Sequence, residues 1–400
     1  MTSYAPLKRR ASLYDGWRSI SISLYMTLVG YGVLVAIPVI SSARVRLLGF
    51  SEVEVGRLSS ADLGGLTVGA IIASLGMAKT NRRVLVFIGA VLAILANAYC
   101  TRTTDYQAML FLRMLAGIGS GIYTSVAVAN LGATNNPARA YNLMLFAFAF
   151  SQAFELQVLP RLSMNGIYYA FIGSYLFGLL GLKWIPAGAD AEQLDAEFDD
   201  GNILSEHRHV PASIIWLCLL AIFLTYVNIG AYWTYIELAA LEANIDGELI
   251  GRLLVWGALC SVLGCLLATL ISNRFGLVRP LLLAIFAMTL AVALPGLGMD
   301  TFRTGISVLS FNLLWIFIDV YQMAFVANAD HSGTFAALIP SAQGLGQIVG
   351  PNLAASMIAD ASGYDGVFLM CAAFALLGLI TYLVVYLRLQ AILPALVDAS

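Results

Sequence analysis

Asp319 has the most chemistry to offer, because it lies near the middle of Thr304 to Ala327, an apolar run long enough to cross a bilayer as a helix. A carboxylate centred in lipid costs about 2.5–3.5 kcal/mol on insertion scales, so it must face protein or a watery cavity. Asn312, Trp315, Asp319 and Gln322 recur at i, i+3, i+7 and i+10, one stripe of a helix whose other faces are Leu, Ile, Val and Phe. Such an acid either ties its helix to a neighbour or takes part in coupling and solute contact, and the polar stripe favours the second role. Glu155 is another intramembrane acid, three residues from Gln152 and on the same face. Arg113 sits inside a further run and needs a partner; Asp62, at similar depth in an earlier run, is the candidate. An arginine facing a cavity also suits an anionic solute, through a forked hydrogen bond to carboxylate. Tyr226 and Trp233 share one face of a seventh run with Glu237, Asn228 lies on an adjacent face, and Tyr31 continues a small polar stripe from Ser23 and Thr27 in the first. Tyrosine and tryptophan near helix ends fit an interfacial belt as well as a binding box, and the Tyr31 stripe fits helix–helix bonding as well as solute contact.

The elements that must position these groups are membrane helices. The 400 residues are 60 % hydrophobic and 11 % charged, with a mean hydropathy of +0.85, whereas soluble proteins carry about 25 % charged residues. Spanning-length runs fall at 18–40, 55–78, 84–101, 106–130, 140–160, 166–185, 212–236, 249–272, 280–299, 304–327, 335–359 and 366–388, which predicts twelve transmembrane helices. Lys and Arg favour the side that holds the N-terminus by roughly two to one, with Arg44, Arg46 and Arg57 among those on the far side. That bias predicts a multi-pass protein of the plasma membrane, the inner membrane in a bacterium, with both termini cytoplasmic. The five cysteines lie in or beside apolar runs without metal-ligand spacing and read as packing residues.

One long polar segment, 187–211, is rich in Asp and Glu and divides the chain into helical bundles at 1–186 and 212–400; its acidity reads as a solvated linker. The halves look like copies. A shift of 195 residues lays the turn at 78–82 on 273–277, the turn at 135–139 on 330–334, Gly69 on Gly264 and Gln152 on Gln347. Duplicated bundles are what alternating-access transporters are built from, with solute held at the seam.

The turn after the second run reads Ser74-Leu75-Gly76-Met77-Ala78-Lys79-Thr80-Asn81-Arg82-Arg83, and the fourth run holds Arg113-Met114-Leu115-Ala116-Gly117-Ile118-Gly119-Ser120-Gly121. On these motifs the chain resembles the major facilitator superfamily over nearly its whole length. The resemblance implies that Lys79, Arg82 and Arg83, with Arg274 and Gly276 in the second-half copy, belong to a cytoplasmic gate motif. Ala78 and Asn273 replace the acid that helps lock that gate in the family, so the latch itself is not implied. The Arg113 motif is associated with proton movement in proton-coupled members. The family's antiporter signature, a Gly-Pro in the fifth helix, is missing, and Gly350-Pro351 lies in the eleventh.

These readings predict an all-α membrane protein of two pseudo-symmetric six-helix bundles and a secondary transporter of a small organic solute coupled to a proton or other cation. Asp319, Asp62, Glu155 and Arg113 are the expected coupling groups. Arg113, Asn312, Trp315, Gln322, Tyr226, Asn228, Trp233 and Tyr31 are the expected solute contacts. Uptake of an organic anion is slightly preferred over efflux of amphipathic compounds; a sensor or scaffold that moves nothing is the alternative of another class. An enzyme is not expected, since all three histidines fall in loops and no phosphate cradle or H-E-x-x-H is present. No cofactor, metal or nucleic acid is implied, and one chain holding both halves makes a monomer sufficient.

Overall fold

The computed structural model describes residues 14–77, 79–134, 137–187, 211–271, 276–329, 338–360 and 363–392. Arg274, the histidines, Asp330 and most of the acidic linker lie outside them. The described residues form thirteen α-helices: α1 Trp17–Val35, α2 Ile37–Leu48, α3 Glu52–Gly76, α4 Arg82–Cys100, α5 Tyr106–Gly132, α6 Pro137–Val158, α7 Met164–Leu180, α8 Ala212–Glu242, α9 Gly247–Ile271, α10 Val278–Ala293, α11 Thr301–Ala329, α12 Ile339–Ala359 and α13 Gly363–Ile392. Among the described residues, nine are long and apolar enough to cross a membrane. α7 and α10 are shorter, and 3₁₀ turns at Leu182–Trp184 and Pro295–Leu297 follow them. Five of the helices that run from the far face toward the linker are capped by the side chain just before them. Ser51 and Glu54 form a reciprocal box at α3, and Asp105, Ser163, Asp246 and Asp300 accept from backbone N–H groups at the starts of α5, α7, α9 and α11.

The first predicted span departs from a simple helix. It divides at Ala36, and its continuation α2 runs eight residues beyond the expected end at residue 40. Pro38 causes the break: it has no N–H to give the Leu34 carbonyl. The indole Nε1 of Trp233, on α8, donates to that carbonyl at 3.2 Å instead. A hydrogen bond lost within one half is thus made good by the other.

The duplication carries into three dimensions. In α3, Gly69 lies against Ile118 of α5; in α9, Gly264 lies against Leu313 of α11, and both members of the pair are displaced by 195 residues. Between the halves, α3 packs on α12, α6 on α9 and α2 on α8, the exchange of partners that a two-fold relation requires. Where α1 and α2 cross α8, positions related by the shift meet: Tyr31 lies near Tyr226, and Ser42 near Glu237. The end opposite the linker is held shut by the Trp233 bond and by the Tyr235 hydroxyl, which donates to the Glu52 carbonyl at 2.9 Å.

Candidate solute and coupling site

Asp319 sits on α11 at the seam of the two halves. Its Oδ1 accepts from the Tyr226 hydroxyl of α8 at 2.8 Å and from Gln343 Nε2 of α12 at 2.7 Å. The carboxyl is only partly buried, and Tyr31 of α1 comes within electrostatic reach of it from the first half. The Tyr31 ring meets Phe148 of α6 edge-on at 6.0 Å. The wall repeats the duplication, since the shift of 195 turns Tyr31 into Tyr226 and Phe148 into Gln343. It also turns Thr124 into Asp319. Thr124 packs against Gly30 of α1 and donates to a carbonyl of its own helix, so the acid has no acidic counterpart in the first half.

Toward the closed end, Trp315 lies one turn from Asp319, with its ring centroid 6.1 Å from Trp233 and 5.8 Å from Phe311; Trp233 stacks on Phe311 at 5.9 Å. Trp233 and Trp315 are buried among these rings, which takes them out of an interfacial belt. The rest of the α11 stripe turns elsewhere, because each level of the helix meets a different neighbour. Asn312 is buried against Gly257 of α9 and donates to the Val308 carbonyl at 2.9 Å. Gln322 is buried with its amide on Thr225 Oγ1 at 3.1 Å. Both pack within the second half, so their expected solute contact is not what their surroundings provide. Asn228 is fully buried, and neither side-chain atom meets a partner among the described residues.

Arg113 does pair with Asp62, but in a larger cluster buried in the first half. Arg113 Nη2 lies 2.7 Å from Asp62 Oδ1, Arg44 Nη2 lies 2.9 Å from Asp62 Oδ2, and Arg113 Nη1 donates to Asn97 Oδ1 at 2.8 Å. Arg44, Asp62 and Arg113 are 1 %, 3 % and 1 % exposed. Tyr168 covers the guanidinium of Arg113 at 5.7 Å. Gly117 permits this closeness, since a Cβ there would run into the Asp62 carbonyl. Arg113 is therefore saturated and enclosed, which removes the ground for giving it an anionic solute. Sequence reasoning missed Arg44, placed in a far-side loop because hydrophobicity fades after residue 40, and Asn97, a lone amide in an apolar run. The shift of 195 turns Asp62 and Arg113 into Gly257 and Val308, which touch each other in the second half. An ion pair in one half is a methyl contact in the other.

Glu155 also belongs to the first half. Its Oε1 accepts from Ser151 Oγ at 3.1 Å, it packs near Gly32 of α1, and its Oε2 has no partner among the described residues. The gate motif holds the first half together at the linker end. Arg82 Nη1 donates to Asn130 Oδ1 at 2.7 Å, and Arg83 Nε donates to the Ile185 carbonyl at 2.7 Å. Lys79 is exposed, and Gly276 takes a left-handed φ of 70° before α10.

Two related helical halves that share a polar seam define a membrane transporter, not an enzyme. The sequence matches the Major Facilitator Superfamily over residues 20–351, and the chain belongs to that family. Its fold is shared with a D-xylose–proton symporter at a TM-score of 0.73 and 15 % identity, covering 92 % of this chain and 97 % of that one. The nucleoside transporter NupG superposes at 0.70 with 12 % identity over 94 % and 99 %. The human organic anion transporter MFSD10 does so at 0.63 with 15 % identity over 91 % and 99 %. No curated protein matches the sequence.

Proposed function

We propose that the protein is a proton-coupled secondary transporter that moves a small organic solute by alternating access, with Asp319 as the group that both proton and solute engage. One observation carries this reading: a carboxylate at the seam, held on Oδ1 by Tyr226 and Gln343 and only partly buried, has no cationic partner among the described residues. Such an acid changes its proton affinity as its exposure alternates between water and a closed gap. Tyr31, Tyr226, Trp315 and Trp233 enclose the solute. Arg44, Asp62 and Arg113 keep the first half rigid, and Glu155 is a secondary candidate for proton uptake. Proton coupling is also the mode of the D-xylose–proton symporter that shares the fold, which supports this reading.

The preference between the two transport modes moves toward efflux of amphipathic compounds, because the anion reading rested on an Arg113 free to meet solute. The linker face is cytoplasmic on the Lys and Arg distribution, the membrane is the plasma membrane, and one chain suffices as the working unit. Proteoliposomes test the proposal. Asp319→Asn is expected to abolish solute-driven proton movement while solute counterflow persists; proton movement equal to wild type overturns the role of Asp319.

A further inference from the structure

Resting on the reading of Asp319 as the solute station, we infer that the solute is an organic cation, a substituted ammonium neutralised by Asp319 with its apolar body against the aromatic wall. The distribution of charge in the two halves carries this. In the first half two guanidiniums, Arg44 and Arg113, share the single carboxylate of Asp62, so these two buried cations are already engaged within that half. At the seam the balance is reversed: the carboxylate of Asp319 is answered only by neutral donors, the Tyr226 hydroxyl and the Gln343 amide. Both donors converge on Oδ1. No described residue donates to Oδ2, which leaves that oxygen to whatever enters the gap.

The wall fits the same occupant. Aromatic rings gather around the carboxylate from both halves: Tyr31, in edge-on contact with Phe148, from the first, and Tyr226, whose hydroxyl it accepts, with Trp315 one turn away, from the second; an aromatic face attracts an alkylammonium through its quadrupole. A solute anion meets the opposite conditions, with a fixed negative charge beside it and, among the described residues, no cation paired with that charge. A neutral polyol could bond Oδ2 through a hydroxyl but would leave the carboxylate's charge unbalanced in a partly dry site. Cation and proton then compete for one carboxylate: the cation enters as the protonated acid releases its proton to water, and charge balances on each side of the exchange.

The test uses the full chain in detergent and in proteoliposomes. Benzyltrimethylammonium and tetraphenylphosphonium serve as cation probes, D-xylose and uridine as neutral probes, and benzoate as the anion. The cations are expected to raise the melting temperature in a saturable way, with affinity about tenfold or more weaker in Asp319→Asn and partly kept in Asp319→Glu. Phe148→Ala, which leaves the carboxylate intact, is expected to weaken cation binding without affecting size-exclusion behaviour. A melting temperature unmoved by every cation, or equal cation affinity in wild type and Asp319→Asn, overturns the inference. Proton flux driven by uridine, D-xylose or benzoate, with no response to the cations, rejects the cation while keeping the transporter. A protein that binds the cations through Asp319 yet shows no counterflow of any probe keeps the cation and rejects transport.

Discussion

Asp319 and Asp62 are both carboxylates inside the membrane, and their surroundings give them opposite work. Asp62 is fixed by two guanidiniums in a dry cluster, where removing one partner of a buried ion pair costs about 3–5 kcal/mol. The cluster carries one excess positive charge, so its members are not equivalent. Asp62→Asn strands both arginines, whereas Arg44→Leu leaves the neutral Asp62–Arg113 pair and the bond to Asn97. Thermal unfolding in detergent is therefore expected to rank Asp62→Asn as the more destabilising; the reverse order would show that Arg44 and not Asp62 organises the cluster. At the seam, Tyr226→Phe and Gln343→Leu each remove one donor to a charged oxygen, worth about 1.5–3 kcal/mol. Their effects on solute affinity are expected to be non-additive because they share one acceptor, which a double-mutant cycle on solute binding measures. Part of this was legible in the sequence: Asp319, Tyr226 and the Asp62–Arg113 pair stand out as polar groups in apolar runs. Gln343 did not, because its tie to Asp319 joins two separate helices and depends on how α12 packs on α8 and α3. The shift of 195 held a clue, since it places Gln343 opposite Phe148.

At the level of the helix, Pro38 and Gly117 show how single backbone properties set the packing. Trp233→Phe leaves the Leu34 carbonyl without its donor, while Pro38→Ala gives the start of α2 an N–H that can reclaim it across the break. Trp233→Phe is expected to cost about 1 kcal/mol in the native background and less in Pro38→Ala, and to raise the reactivity of a cysteine placed at the closed end. Equal effects in both backgrounds would show that the indole acts by bulk alone. Gly117→Ala drives a methyl into the α3 backbone and is expected to loosen α3 from α5, whereas Gly173→Ala, with open space around its Cβ, should be silent; the comparison is made by melting temperature. The helices themselves were readable from hydropathy, apart from the first. Apolar run length cannot reveal that α2 stays buried, because it packs on α8 and its Arg44 is taken up by Asp62 of α3 rather than by water.

Across the whole molecule the duplication sets the geometry, and divergence between the copies sets the chemistry. Tyrosines at equivalent positions face one another where α1 crosses α8, yet the carboxylate of one half stands where the other has threonine, and the ion pair of one stands where the other has glycine and valine. The overall plan was therefore visible in a repeated spacing. The site was visible only in outline, since which face of a stripe looks into the seam depends on neighbours that spacing does not name. The threonine at position 124 has a further consequence. Because it leaves Asp319 without an acidic counterpart at the equivalent place, one proton leaving that carboxylate as one univalent guest enters is a trade that shifts no net charge. Its rate should then ignore an imposed voltage, and clamping vesicles with potassium and valinomycin at different potentials would reveal any dependence.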